Sequence, residues 1–164
     1  MTPLPPPLGG GGLVAWRLDL AIHGRSWDSG EGAYRAGGRW NGPGARVVYC
    51  AVDPATAILE VAVHKGFRTL DTVAHVLTAA RIAGAAHVVQ PGDVPNPNWL
   101  RPGIPSAGQQ AFGNALLAQH AFVLLPSVVS LHSWNLIFDP ARAAGAYAPS
   151  SQERFALDPR LHPA

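Results

Sequence analysis

The feature that most restricts what this chain can fold into is its punctuation: 18 glycines and 16 prolines cut 164 residues into short apolar runs. Glycine weakens the interior of helices and strands, and proline breaks both, so long regular elements are ruled out over most of the sequence. What survives is a set of short segments. Val14, Trp16 and Leu18 alternate with Ala15 and Arg17 in the two-residue period of a half-buried strand, with Arg17 on the polar side. Val47 to Ala51 is a strand by its β-branched and aromatic content. Asp53-Pro54 then supplies a helix cap and a first-turn proline, predicting a helix to His64 on which Ile58, Val61, Ala62 and Lys65 share one face and Ala57, Glu60 and His64 another.

Further strands are predicted from Thr72 to Ile82 and Ala86 to Val89, and a helix from about Ser106 to Gln119. Phe122 to Leu125 and Val128 to Leu131 read as two strands pivoting at Pro126-Ser127, and Arg154 to Leu157 as a last one. Between them lie two irregular stretches: the glycine-rich segment His23 to Arg46, too long for a passive connector, and Pro91 to Pro105 with its five prolines. Many short strands with two or three helices and no regular βαβ repeat predict a single α+β domain over 13–164. Residues 1–12, dominated by proline and a run of four glycines, read as a flexible tail.

Composition narrows the function. Charged residues make up 13% of the chain, about half the usual share, and the net charge of +2 arises almost wholly from arginine, Lys65 being the single lysine. Arginine's planar fork suits phosphate and carboxylate. No clustered basic stripe points to nucleic acid, so a non-catalytic nucleic-acid-binding subunit stands only as an alternative. With Cys50 alone there is no intramolecular disulfide, and the histidines show no helical metal-binding pair, so no metal is expected. The absence of a signal-like start or a membrane-length apolar run predicts a soluble, cytoplasmic protein.

Gly37-Gly38-Arg39-Trp40-Asn41 combines a glycine pair, which admits a ligand close to the backbone, with an arginine able to grip a pyrophosphate; a surface turn explains it as well. Tyr49 either packs or meets a flat heteroaromatic ring. Glu60, in the middle of a mostly apolar helix, either faces water or is a buried carboxylate that needs a partner, for which Arg17 is the candidate.

Taken in order, Trp16-Arg17, Gly37-Gly38-Arg39-Trp40-Asn41, Val48-Tyr49-Cys50-Ala51, Ala57-Ile58-Leu59-Glu60, Pro97-Asn98-Trp99, Leu125-Pro126-Ser127-Val128-Val129, Trp134-Asn135 and Phe155 to Leu161 resemble the RES domain. After Trp134-Asn135 the sequence departs, running into Phe138-Asp139-Pro140 where the family tends to have Asn-Pro and a histidine. The resemblance implies a fold similar to ADP-ribosyltransferases and a toxin paired with an Xre-type helix-turn-helix antitoxin. It implies NAD⁺ as substrate, consumed by hydrolysis, phosphorolysis or transfer of ADP-ribose to a protein. It also implies Arg39, Tyr49 and Glu60 as catalytic residues, with Arg17, Trp40, Ser127 and Asn135 binding the substrate.

Overall fold

The computed structural model describes residues 12–161, so the predicted tail, apart from Gly12, lies outside the described residues. Seven strands form one sheet: β1 (Val14–Leu20), β2 (Val48–Ala51), β3 (His75–Ile82), β4 (Ala86–Val88), β5 (Phe122–Pro126), β6 (Trp134–Phe138) and β7 (Tyr147–Phe155). Their spatial order is β4-β5-β6-β2-β1-β3-β7, antiparallel throughout except for the parallel β4/β5 pair. The helices are α1 (Glu31–Ala36), α2 (Pro54–Lys65), α3 (Phe67–Thr72) and α4 (Ala107–Gln119), with short 3₁₀ turns between. This is the α+β class that the element pattern predicts.

The central strands are buried on both faces, which is why β5 is an unbroken apolar run and β6 is broken only by Asn135. Phe122 and Leu124 of β5 enter one cluster with Val48, Cys50, Trp134, Leu136 and Phe138. Val123 and Leu125 enter another with Trp40, Val47 and Ile137, covered by Leu117 of α4. A third cluster joins Leu18 and Leu77 of the sheet to Ala62 of α2 and Leu70 of α3, and Ile58 and Val61 pack on it as their helical spacing predicts. Asp53 caps α2 as expected, its carboxylate accepting from the Thr56 amide at 2.8 Å.

Four predictions need correction. Val128 to Leu131 is a turn rather than a strand, because the Ser127 hydroxyl captures the Ser130 amide at 3.1 Å and curls the chain; the strand that follows β5 is Trp134–Phe138. β3 begins at His75, and Thr72, predicted as its first residue, ends α3. β7 spans nine residues instead of four, an exposed polar edge strand with an irregularity at Ser150, identified by its pairing with β3. The segment 23–46 contains α1, steadied by an i,i+4 ion pair between Glu31 and Arg35 at 2.7 Å.

One weakness in the sheet positions everything that follows. β1 pairs with β3 at seven positions but with β2 at only one, Trp16↔Ala51, so the β1/β2 seam opens toward Leu20.

Candidate active site

A cavity of about 450 Å³ lies at this seam, within the range of small-molecule sites. It brings together Arg17 from β1, Arg39 and Trp40 from the glycine-rich loop, Tyr49 from β2, Glu60 from α2 and Asn135 from β6. Gly103 and Pro105 of the proline-rich strap, together with His64 and Lys65 of α2, complete its rim. Ser127, the remaining candidate, is not a lining residue; it is 3% exposed and reaches the site through Glu60.

Glu60 is a half-buried carboxylate whose partners are not the arginine proposed from sequence. Its Oε1 accepts from Asn135 Nδ2 at 2.6 Å and from Ser127 Oγ at 3.1 Å, while Oε2 accepts no hydrogen bond among the described residues. The amide nitrogen of Asn135 must face the carboxylate, since a carbonyl oxygen there would meet like charge, and its Oδ1 is left buried without a partner. Ser127 is held in turn, its hydroxyl accepting from Ser130 N and its own amide donating to Ser133 O at 3.1 Å. Ser133 also donates to Asp53 Oδ2 at 2.6 Å, which fastens the turn to the start of α2. The Asp53 carboxyl is pulled up by burial, but hydrogen bonds from Ser133, Thr56 and the Thr56 and Ala55 amides outweigh this and hold its pKa below the ordinary value.

Arg17 pairs with Asp19 instead of Glu60. Its Nε and Nη2 both lie 2.9 Å from Asp19 Oδ2, and its Nη1 donates to the Tyr49 carbonyl at 2.8 Å across the open seam. Asp19 stands two residues along the same strand face, the one signal in the sequence that could have found it. Cys50 lies on the same seam and lines the cavity as a fully buried thiol; burial pushes its pKa up to about 12, slightly offset by Arg17, so it is a packing residue and not a nucleophile.

The loop carrying Arg39 is locked from inside. Asn41, 0% exposed, donates from Nδ2 to the carbonyls of Ala33, Gly42 and Ala45, while its Oδ1 accepts the Tyr49 hydroxyl at 2.7 Å. The Tyr49 oxygen also accepts the Trp40 amide at 3.0 Å, and burial raises the phenol's pKa far above its ordinary value despite that bond. Gly38 is required: a Cβ there would sit 2.6 Å from the Tyr49 oxygen and 2.8 Å from Asn41 Oδ1. From the other side, Gln110 of α4 donates to the Gly38 carbonyl at 2.9 Å, and a Cβ on Gly113 would lie 1.9 Å from the Trp40 carbonyl oxygen. Trp40 is therefore chiefly a core residue, 1% exposed and packed edge-on against Phe112. The anchoring role of Asn41 carries no signal in the Gly37–Asn41 motif, because its partners Ala33, Ala45 and Tyr49 lie outside that motif.

Arg39 meets no carboxylate among the described residues. Its guanidinium donates to three carbonyls of the strap, Trp99 and Arg101 at 3.3 Å and Gly103 at 3.4 Å. No group of three or more His, Cys, Asp or Glu side chains among the described residues is arranged to hold a metal, and no described helix is long and apolar enough to cross a membrane. The assembled chemistry is a carboxylate with one oxygen free of hydrogen bonds among the described residues, two arginines and an aromatic ring, all lining one cavity at an opening in a sheet.

The chain is 30% identical over 158 residues to a protein of Sphingobium sp. (strain YBL2) called Prs ADP-ribosylating toxin, covering 89% of this chain and 94% of that one. It is 30% identical over 157 residues to Toxin Res of Pseudomonas putida KT2440, covering 91% and 99%. Its fold is similar to a chain in the crystal structure of the M. tuberculosis MbcT–MbcA toxin–antitoxin complex, with a TM-score of 0.65 at 21% identity and 87% and 84% of the two chains covered. The family model for the RES domain matches residues 14–158, nearly the whole described chain, and the protein belongs to the RES domain family.

Proposed function

We propose that this protein is the toxin of a toxin–antitoxin pair and that it acts in the cytoplasm by breaking the nicotinamide–ribose bond of NAD⁺. The observation that carries the reading is the state of Glu60: one carboxylate oxygen is fixed by Asn135 and Ser127, and the other is left for a ligand in a cavity lined by Arg17, Arg39 and Tyr49. Loss of nicotinamide leaves positive charge on the ribose ring, and a fixed carboxylate beside the ring stabilises that transition state. The C1′–N bond breaks with its electron pair going to the pyridinium nitrogen, so nicotinamide departs neutral and needs no strong acid. An acceptor oxygen bonds to C1′ and releases its proton.

Within this scheme Glu60 Oε2 holds a ribose hydroxyl, Arg17 and Arg39 receive the two phosphates, and Tyr49 aligns the nicotinamide ring. Trp40 supports the wall, while Ser127 and Asn135 act through Glu60. The partner is a cognate antitoxin of the Xre helix-turn-helix class covering the cavity mouth, in keeping with the toxin–antitoxin complex that shares the fold. Incubating the purified chain with NAD⁺ and separating the products tests the proposal: free nicotinamide appears with wild type and not with Glu60→Ala or Arg39→Ala. Turnover retained in either folded variant refutes the assignment.

A second reading, transfer of ADP-ribose to a protein, is favoured by the name of the Sphingobium relative. Adenine-labelled NAD⁺ separates the two, appearing as small ADP-ribose products in one case and on a macromolecule in the other.

A further inference from the structure

Arg17 and Arg39 spend their guanidinium groups differently. In a guanidinium the Nε–H and one Nη2–H point the same way, forming the edge that takes a carboxylate or phosphate side-on. Arg17 has already turned that edge to Asp19, with Nε and Nη2 each 2.9 Å from Oδ2, so its fork is filled and its charge offset. Arg39 uses the other end. Its Nη1 donates to the Trp99 and Arg101 carbonyls and its Nη2 to the Gly103 carbonyl, while Nε and the second Nη2 hydrogen meet no acceptor among the described residues. The strap therefore holds Arg39 by its far end and leaves its fork open.

The holder is fixed by α4. Two consecutive residues of its first turn reach the two sides of Arg39. Gln109, 2% exposed, donates from Nε2 to the Trp99 carbonyl at 3.2 Å, the same oxygen that Arg39 meets. Gln110 donates from Nε2 at 2.9 Å to the carbonyl of Gly38, the residue before Arg39. The turn is itself capped, Ser106 Oγ accepting the Gln109 amide at 3.2 Å. Neither glutamine lines the cavity. Strap and loop are both irregular chain, and each could drift alone; tied to neighbouring positions of one helix, they keep a fixed spacing with Arg39 between them.

We propose that Gln109 and Gln110 are positioning residues for anion binding: acting through the strap and the loop, they hold Arg39 so that its Nε/Nη2 fork is oriented in advance for one phosphoryl group. This rests on the reading of Arg39 as a phosphate ligand. A side chain ordered before the ligand arrives loses less rotamer freedom on binding.

The test follows binding and turnover separately. Inorganic pyrophosphate is titrated into the full chain while the arginine Nε–H resonances are followed, that of Arg39 being identified by its loss in Arg39→Lys. The Arg39 signal is expected to move, and the Arg17 signal, already bonded to Asp19, to stay. Gln109→Met, of similar size but without the donor, raises the pyrophosphate dissociation constant about fivefold. KM for NAD⁺ rises in the same proportion with kcat little changed. Gln110→Met acts likewise and serves if Gln109→Met fails to fold. In an Arg39→Lys background, which keeps the charge but has no fork, neither methionine weakens pyrophosphate further, whereas any loss of thermal stability persists. A stationary Arg39 signal, movement of the Arg17 signal in its place, an unchanged dissociation constant in a folded variant, or a weakening undiminished in the lysine background each overturn the proposal. If the Arg39 signal moves and the variants weaken pyrophosphate as expected while wild type releases no nicotinamide, the positioning role stands and the cleavage reading fails.

Discussion

The two walls of the Glu60 cavity are built by opposite rules. On the α2 and β6 side, the protein directs its donors at one oxygen of a carboxylate and leaves the other unengaged. On the side of the glycine-rich loop, the Tyr49 hydroxyl and the Asn41 amide are saturated by the loop itself. The contrast assigns different work to residues that the family pattern groups together. The first wall retains chemical capacity, whereas the second spends its polar atoms on holding a shape.

That difference can be broken experimentally. The largest effect is expected at Glu60: Glu60→Gln keeps an acceptor for Asn135 but removes the negative charge. It should lower nicotinamide release by roughly 100- to 1,000-fold with the melting temperature nearly unchanged. Gly113→Ala touches only the shape-holding wall, forcing a methyl group onto the Trp40 carbonyl, and should cost about 3 kcal/mol or more in urea unfolding. Asn41→Ala leaves the Tyr49 hydroxyl and three carbonyls short of a partner, for about 2–3 kcal/mol.

Tyr49→Phe sharpens the comparison most. If the hydroxyl serves the loop, the variant loses about 1 kcal/mol of stability and its KM for NAD⁺ rises several-fold while kcat falls little. A collapse of kcat at unchanged stability would place the hydroxyl in the chemistry and remove the distinction between the walls.

The smallest effect is a pH dependence at Asp53. Its folded pKa is depressed, so its contribution is complete above the unfolded value and is lost as pH falls through the folded one. Ser133→Ala removes one of the bonds that lower it, so the stability gap between variant and wild type should be widest near neutrality and narrow in acid. A gap that widens on acidification contradicts this role.

Much of the site was legible because it sits on locally encoded elements. The β-branched run before Asp53-Pro54 and the apolar spacing after it place Tyr49 at a strand and Glu60 on a helix by short-range rules alone. What could not be read is pairing over distance. Glu60 meets Asn135 and Ser127 across 75 and 67 residues, and nothing in the local pattern distinguishes these from the charge-complementary choice of Arg17. The same limit hid most of β7, of which only the end at Arg154–Phe155 was predicted and whose polar residues owe their extended form to β3, and made Val128–Leu131 look extended when a serine hydroxyl closes it into a turn. The single-point pairing of β1 with β2 left no trace in either strand's composition.

The strap over the cavity has a consequence for timing. Its base is anchored, with Trp99 packed near Phe112 and its carbonyl also taking Gln109 at 3.2 Å, but beyond it Ile104 is 97% exposed and the carbonyls of Arg101 and Gly103 meet Arg39 through bonds of 3.3–3.4 Å. Segments held so lightly open at a small fraction of the global unfolding free energy. Amide hydrogens near the tip should therefore exchange with solvent far sooner than those of β5 or β6.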